Sequence, residues 1–529
     1  MKKHFNEEKT TEREEILIEN INKKSLRKTV SITGVIDRIA QTGGPTIFAI
    51  RDGTGTISTK GFLAPGQRAY PELSEGDCVK FIIRIEEFND EVEGEIVKVF
   101  KKIGEEKIAI ERAIEKKEKD KATVGPMEFL VKSDILDLLK DRFVEAATQI
   151  RLAVFKNRPI IVRHHNDTDG YSAGFALERA ILPLIEKQHG SEKAAWEFFT
   201  RAPCGAPYYE IDDSIRDTAN SLRNVAKFSN KMPLIVIADN GSGQEDLMAI
   251  KQGKVHGSDF IVVDHHKFDK DVISAEVLTH INPFLVGKSG SLISAGMLCT
   301  ELARFINPDV KNVEQIPALA GLADRIDLEN PKLISEYLEI AKKSGYSKEL
   351  LQDISLLIEY VSVKIRFMEV REYIEVIFGE PKEQQKKLVE LLVPHIRELD
   401  KKGLEIGKSN EIMEKIKNTT LQLVMVDEAY PGFGFFPKPG RSISLLHEYT
   451  HREKKITNLI SVGVMETAMT FRATDEANFS LHELIHFLNE KIPTAFIEGG
   501  GHKNAGAITY LPKRKEKILE LVREFISKR

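Results

Sequence analysis

Cysteine is scarce: the 529 residues hold three, Cys78, Cys204 and Cys299, and no CxxC pair. That excludes a disulfide framework and a zinc knuckle and suits a reducing compartment, so a cytoplasmic location is expected. Long apolar runs are missing as well. No stretch approaches the roughly 18 residues that a membrane span requires, and the start, Met1 to Glu8, is polar where a secretory leader would be apolar. No membrane role is expected. An excess of charge of one sign is also lacking: 77 Lys and Arg stand against 81 Asp and Glu, a net charge of −4. Bulk charge therefore does not mark a nucleic-acid binder. A local basic groove needs no net charge, however, and a site that holds metal ions has to be acidic.

What is present suits a multidomain globular protein, 41% hydrophobic and 30% charged, of a length that implies two to four domains. Residues 1–26 are polar, and a short helix or a disordered arm is expected. Residues 27–103 change to short alternating strands, among them Val30–Ile36, Thr46–Arg51 before the turn Asp52-Gly53-Thr54-Gly55, Ile57–Phe62, Cys78–Ile85 and Gly94–Val99. Five strands in this space predict a small Greek-key barrel similar to the OB folds that bind single strands, with Phe48, Phe62 and Phe81 in its core. Residues 104–155 read as a helical linker: 104–122, dense in Glu and Lys, as a solvated helix, and 133–155, where Ile135, Leu138, Leu139, Phe143 and Ala146 recur at helical spacing, as a helix that delivers the chain to the next domain.

From 156 to 329 the texture is α/β. The apolar runs Ile160–Val162, Leu234–Ala238 and Phe260–Val263 predict a mostly parallel sheet covered on both faces. Residues 330–429 read as a helical insertion, and 430–529 as a second α/β domain with strands at Asn458–Val464 and Met469–Arg472 and a closing helix. Polar residues follow each apolar run of the first α/β domain, where sites lie in open sheets. After Val162 comes Arg163-His164-His165-Asn166-Asp167-Thr168-Asp169-Gly170. After Ala238 comes Asp239-Asn240-Gly241, after Val263 comes Asp264-His265-His266, and after the apolar helix ending in Ala323 comes Asp324. One such Asp is often a helix cap or turn former; four clusters in one domain are harder to assign that way.

Asp264-His265-His266 after an apolar strand resembles the defining motif of the DHH phosphoesterases. His165-Asn166-Asp167-Thr168-Asp169-Gly170 is similar to that family's first motif, Asp239-Asn240-Gly241 to its second and Asp324 to its fourth. Gly499-Gly500-Gly501-His502 resembles the glycine-rich motif of the DHH-associated domain. Five motifs fall in family order over about 340 residues. With the barrel in front and the helical insertion, the chain most resembles archaeal RecJ-like single-strand exonucleases. Bacterial RecJ is a looser match, because its OB fold follows the catalytic core and Asp often stands where His165 does.

The resemblance implies two divalent cations. His165, Asp167 and Asp239 would hold one; Asp169, Asp239, His265 and Asp324 would hold the other, with Asp239 bridging. His165 rather than His164 is the expected ligand, because it stands two residues before Asp167. The charges agree: two cations bring +4, and Asp167, Asp169, Asp239 and Asp324 supply −4, where unbalanced carboxylates would repel one another. Oxygen-rich ligation with imidazoles favours Mn²⁺, with Mg²⁺ or Co²⁺ also compatible. Two such ions activate a water for in-line attack on phosphorus. His266 would contact the phosphate, protonate the leaving group, or orient His265, and Asp264 would orient a ligand. Gly499, Gly500, Gly501 and His502 would receive a substrate phosphate through backbone N–H groups and an imidazole. Arg472 would bind a phosphate or form an ordinary ion pair, and Ser294 would face the substrate or cap a helix.

Three functions are compatible. One is a metal-dependent exonuclease on single-stranded DNA or RNA, serving DNA replication or repair or RNA processing. A second is a small-substrate phosphodiesterase of the nano-RNase kind. A third is a replication scaffold, since RecJ relatives also bind the GINS complex of the replicative helicase.

Overall fold

The computed structural model describes residues 14–228, 230–365, 371–432 and 435–529, so residues 1–13 of the expected arm lie outside it. From Glu14 onward the chain is tied to the barrel rather than standing off. Ser31 donates its N–H to Glu14 O, Ile16 N–H reaches Ser31 O, and Ile18 N–H reaches Asp52 Oδ2. Strands β1 (Thr29–Gln41), β2 (Thr46–Arg51), β3 (Thr56–Gly61), β4 (Cys78–Phe88) and β5 (Glu91–Lys102) close into a barrel in the order β1-β2-β3-β5-β4. β1 serves two neighbours: its first half pairs with β4 and its second with β2, and its register shifts between Ile36 and Arg38. Gly34 lies just before that bend, where a Cβ would stand 2.5 Å from the Arg51 carbonyl oxygen. Phe48 and Phe81 are fully buried and meet edge to face at 6.1 Å. Phe62, expected in the same core, is 65% exposed, because β3 has ended at Gly61.

Two helices occupy the expected linker, and the first is not the solvated connector expected of 104–122. α1 (Gly104–Ala122) buries Ile114, Glu118 and Ala122, and the Glu118 carboxylate pairs with Arg51 of the barrel. α2 (Asp134–Phe155) is buried along Ile135, Leu139, Phe143, Ala146 and Ile150, and Phe143 packs against Phe129 and Phe305. In α1 the abundant Lys and Glu hide a narrow buried stripe, one member of which is itself a charge whose partner is distant in sequence.

The chain then forms β6 (Ile160–His164), α3 (Thr168–His189), α4 (Ala194–Phe198), β7 (Phe199–Pro203), α5 (Ile211–Phe228), β8 (Leu234–Ala238), α6 (Leu247–Val255), β9 (Asp259–Val263) and β10 (Thr279–Ile281). The strands make one parallel sheet in the order β10-β9-β8-β6-β7. Alternate strand residues feed two cores. Val162, Leu234, Val236 and Ile261 join the larger one, while Ile161, Ile235, Ile237 and Val262 join a smaller one with Ala249 and Ile250 of α6. This two-sided burial is why the strands read as unbroken apolar runs. α7 (Ala295–Ile306) and α8 (Ile316–Ala323) cover the larger core. α9 (Ile326–Glu329), α10 (Pro331–Lys343), α11 (Lys348–Ile365), α12 (Arg371–Ile377) and α13 (Lys382–Asn410) continue the helical layer, and Tyr337, Leu351, Ile354 and Ile396 belong to the same core as Phe175 and Leu298.

The helical stretch stops at Asn410, short of its expected end. A hairpin follows, β11 (Glu411–Ile416) and β12 (Thr419–Met425), turned at Lys417 with φ of 51°. β12 is buried on both faces, so its sequence lacks the alternation that would separate it from a buried helical segment. α14 (Val426–Ala429), α15 (Pro439–Glu453), β13 (Leu459–Val464), β14 (Ala468–Ala473), α16 (Leu481–Lys491), β15 (Glu498–His502), β16 (Ala505–Thr509) and α17 (Lys515–Ser527) complete a second, mixed sheet in the order β11-β12-β13-β14-β16-β15. α16 and α17 pack on one face and α15 on the other. The glycine triplet lies in β15, the edge strand. Among the described residues no helix is long and apolar enough to cross a membrane.

Phe81→Ala, which empties the centre of the barrel, is expected to cost about 3–5 kcal/mol. Urea unfolding of the full chain followed by tryptic cleavage within residues 27–103 should show the barrel opening at lower denaturant than in the wild type.

Candidate metal centre

Three of the polar clusters are brought to one place by the parallel ladder itself. One residue past each strand, the hydrogen bonding continues: His165 N–H to Ala238 O, Asp239 N–H to Val263 O, and Asp264 N–H to Ile281 O. His165, Asp239 and Asp264 therefore leave the sheet at the same level on adjacent strands. Asp239 takes a left-handed φ of 62°, which short polar side chains tolerate. Gly241 follows at φ 99°, where a Cβ would stand 2.9 Å from Ile237 Cγ2, so the chain turns sharply there and Asp239 stays at the sheet end.

Asp167 caps α3 by accepting the Gly170 N–H at 2.9 Å, and its other oxygen lies 3.0 Å from His165 Nδ1. His165 Nδ1 is also 3.5 Å from Asp239 Oδ2. Asp169, in the first turn of α3, is received by the start of α7: Ser294 Oγ donates to it at 2.7 Å, Ala295 N–H at 2.9 Å and Gly296 N–H at 3.0 Å. His265 Nδ1 is hydrogen bonded to Gly290 O at 2.9 Å, which turns Nε2 toward Asp239 at 3.4 Å, Asp324 at 3.5 Å and Asp169 at 3.8 Å. His266 Nδ1 is held by Asp264 Oδ1 at 2.8 Å, and the same oxygen accepts the N–H groups of His265 and His266. Asp264 thus orients the pair of histidines.

Two triads have ligand atoms close enough for one ion each, His165–Asp167–Asp239 and Asp169–His265–Asp324, and Asp239–His265–His266 forms a third overlapping group. The residues fit divalent cations. Both Asp239 oxygens are buried and accept no hydrogen bond, a costly state for a carboxylate unless a positive charge faces it. Burial and then the Asp239 and Asp324 charges push the Asp169 carboxyl well above its usual pKa. Burial opposes charging His165 and His265, but the surrounding carboxylates outweigh it and hold both imidazoles well above their usual pKa. Protons supply part of the counter-charge this cluster demands, and divalent cations can supply it in full.

His164, the alternative to His165, belongs to the core. It is fully buried, packs on Tyr171 at 4.7 Å, and burial drops its pKa to about 3. Ser294, read as substrate-facing or helix-capping, is fully buried and holds Asp169, so it cannot face a substrate. Arg472 donates to Ser444 Oγ at 2.8 Å and to Phe471 O at 2.7 Å, and among the described residues no carboxylate pairs with it. Gly499, Gly500 and Gly501 line a cleft of about 480 Å³ whose opposite wall includes Asn240, Gly241, Asp264 and His266. Tyr208 Oη donates across it to Glu498 Oε2 at 3.1 Å. His502 pairs with Ala505 in the β15–β16 ladder, and its side chain lies outside what is described.

Sequence reading missed Asn282. It is fully buried, and its amide donates to Ser242 Oγ at 2.9 Å and to His266 O at 3.0 Å, joining the loops after β8 and β9. Its signal was an Asn-Pro step after a strand of three residues, too short to recognise.

No protein-family model matches the chain. The chain is 34% identical over 517 residues to the uncharacterised protein MJ1198 of Methanocaldococcus jannaschii, an alignment that covers 93% of this chain and 68% of the relative. Among solved structures it is 35% identical to a protein called a member of the S1p family of ribosomal proteins, PF0399 DHH domain, over 80% of this chain and 98% of that one, with a TM-score of 0.74. The manganese complex of RecJ from Thermus thermophilus shares the fold at 16% identity, over 78% of this chain and 57% of that one, with a TM-score of 0.52.

Mn²⁺ is expected to raise the melting temperature and EDTA to reverse the rise, since an ion at a hundred times its Kd adds about 2.7 kcal/mol of stability. Calorimetry on Asp239→Asn should show no rise; a rise of wild-type size would place the metal elsewhere.

Proposed function

The chain belongs to the family of DHH-domain proteins, and from that membership we propose that it is a metal-dependent phosphodiesterase that shortens single-stranded DNA or RNA from an end. The observation that carries this reading is one cleft lined both by His266, a member of the histidine–carboxylate groups fit for cations, with its anchor Asp264, and by a glycine edge strand. When bound, the two ions, Mn²⁺ by preference of the ligand set, would supply a polarised phosphoryl oxygen and a water acidic enough to ionise near neutral pH. His165, Asp167 and Asp239 would hold one, and Asp169, Asp239, His265 and Asp324 the other.

The remaining work belongs to other groups of the chain. Asp264 engages His266 Nδ1, and Nε2 would contact the phosphate or protonate the departing oxygen. Burial opposes charging His266, yet Asp264 outweighs it and raises its pKa, so a proton is available there. As an edge strand, β15 leaves alternate N–H groups without a strand partner; these, with His502, would receive the terminal phosphate. Arg472 would serve the substrate's phosphates as a cation with no described carboxylate partner. The five-stranded barrel supports a nucleic-acid substrate, because such barrels carry single strands on the β2–β3 face.

One observation favours a small-substrate enzyme instead. The cations around the cavity between barrel and catalytic domain are already matched by acids: Arg38 by Glu197, Lys60 by Glu93, Lys193 by Glu91 and Lys231 by Asp37. Little unpaired charge is left there to track a phosphate backbone.

Oligonucleotides of increasing length, labelled at either end and incubated with Mn²⁺ or EDTA, test both readings. Stepwise metal-dependent shortening of long strands, lowered more than about a hundredfold in Asp239→Ala, is the expected outcome. Cleavage confined to di- and trinucleotides would select the small-substrate enzyme, and no cleavage by folded, metal-bound protein would reject catalysis. Within the cleft, Gly500→Ala should raise KM with the fold intact, because a Cβ there meets only Glu245 Oε1 at 3.7 Å. Gly499→Ala should instead lower thermal stability, since its Cβ would stand 2.4 Å from the Ala507 carbonyl oxygen.

A further inference from the structure

The cleft beside the glycine strand accounts for one side of the histidine–carboxylate cluster. A second cavity, of about 460 Å³, adjoins the loop after β6, and it shares no lining residue with the cleft. It meets the metal cluster at Asn166, which stands between His165 and Asp167. Its walls are largely apolar, formed by Val363, Val426, Tyr430, Phe435, Pro437 and Met465, with Ser362 and Asp427 also lining it, the latter accepting the Glu466 N–H at 2.7 Å. Two polar wall residues are already engaged: Tyr430 Oη donates to Gly403 O at 3.1 Å and Ser442 Oγ to Pro437 O at 3.0 Å, so the tyrosine offers a ring rather than a hydroxyl. Asn166 Oδ1, by contrast, is buried and accepts no hydrogen bond. Lys438 also lines the cavity, held by Glu359 at 3.0 Å, and its charge reaches Asp167.

A chamber of this size with aromatic and proline walls, a methionine and one amide acceptor lacking a donor has the chemistry of a nucleoside site. The rings match the face of a base, and the amide matches a base N–H or a sugar hydroxyl. We propose that this cavity holds the nucleoside on the far side of the attacked phosphate from the docked end, the second nucleoside of the strand. The proposal rests on the reading of the chain as a phosphodiesterase. With the terminal phosphate on β15 and the attacked phosphate at the metal cluster, the first nucleoside lies in the cleft, and the chain beyond the attacked phosphate continues past Asn166.

The test compares oligonucleotides carrying one abasic site at the first or the second position, with the wild type, Met465→Trp, which fills the chamber, and Phe435→Ala, which removes an aromatic wall. The wild type should lose about tenfold in kcat/KM when the second base is missing, the scale of one stacked base. The variants should cleave intact and second-position abasic strands alike, because base and pocket are then deleted together. Undiminished discrimination in both variants, or wild-type discrimination confined to the first position, overturns the proposal. A binding measurement separates its failure from failure of the phosphodiesterase reading. A 5′-phosphorylated dinucleotide with 2-aminopurine in second position is titrated in Ca²⁺, an oxygen-seeking ion that supplies the cluster's counter-charge. Saturable quenching by the wild type that weakens about tenfold in the variants supports the pocket even if no strand is cut. No quenching, or equal affinity in all three proteins, overturns it.

Discussion

Buried negative charge is the constraint on which the arrangement around the sheet end depends. The parallel sheet sends Asp167, Asp169 and Asp239 to one end, α8 adds Asp324, and the helices that cover the sheet keep water from most of them. Such a cluster is tolerable only with positive charge inside it. The imidazoles of His165 and His265 provide some, and the Gly290 carbonyl fixes the His265 ring from behind, as ligating histidines require. The start of α7 does the same for Asp169, offering two backbone N–H groups and the Ser294 hydroxyl at a helix N-terminus, where a carboxylate is favoured.

Around that centre the second sheet supplies what the first cannot. A strand of three consecutive glycines has no side chains to close the cleft, and as an edge strand it keeps alternate N–H groups free of the ladder. Gly499 is required by its neighbour's backbone, whereas Gly500 leaves room, so the same residue type serves packing at one position and access at the next. The long helical layer from α8 to α13 shares its core with the parallel sheet and ends directly in the hairpin that begins the second sheet. The two walls of the cleft are thus joined by packed structure.

Much of this was legible in the residues. β6, β8 and β9 could be read because burial on both faces gives unbroken apolar runs, and the clusters behind them could be read because reactive residues follow such strands. β7 and β10 escaped because edge strands of five and three residues carry little pattern. β12 escaped because complete burial erases alternation, so it was absorbed into the helical insertion. The reading of α1 as solvated linker failed at Glu118, whose burial depends on Arg51. Phe62 was placed in the barrel as the last residue of the run Ile57–Phe62, yet the strand ends one residue before it.

By itself the sequence determined the α/β class, the barrel in front and the apolar strands with polar clusters behind them, properties of local pattern that follow from the residues within one strand or loop. Which acids and imidazoles would hold metal came from the family resemblance of those clusters. Only the tertiary structure decided that His164 packs into the core, that Ser294 supports Asp169 instead of touching a substrate, that Asn282 couples two loops, and that a polar cleft and an apolar chamber both adjoin the cluster. Those facts depend on which surfaces meet when the strands take the order β10-β9-β8-β6-β7. Strand order arises from long-range packing, which no single stretch of the chain records.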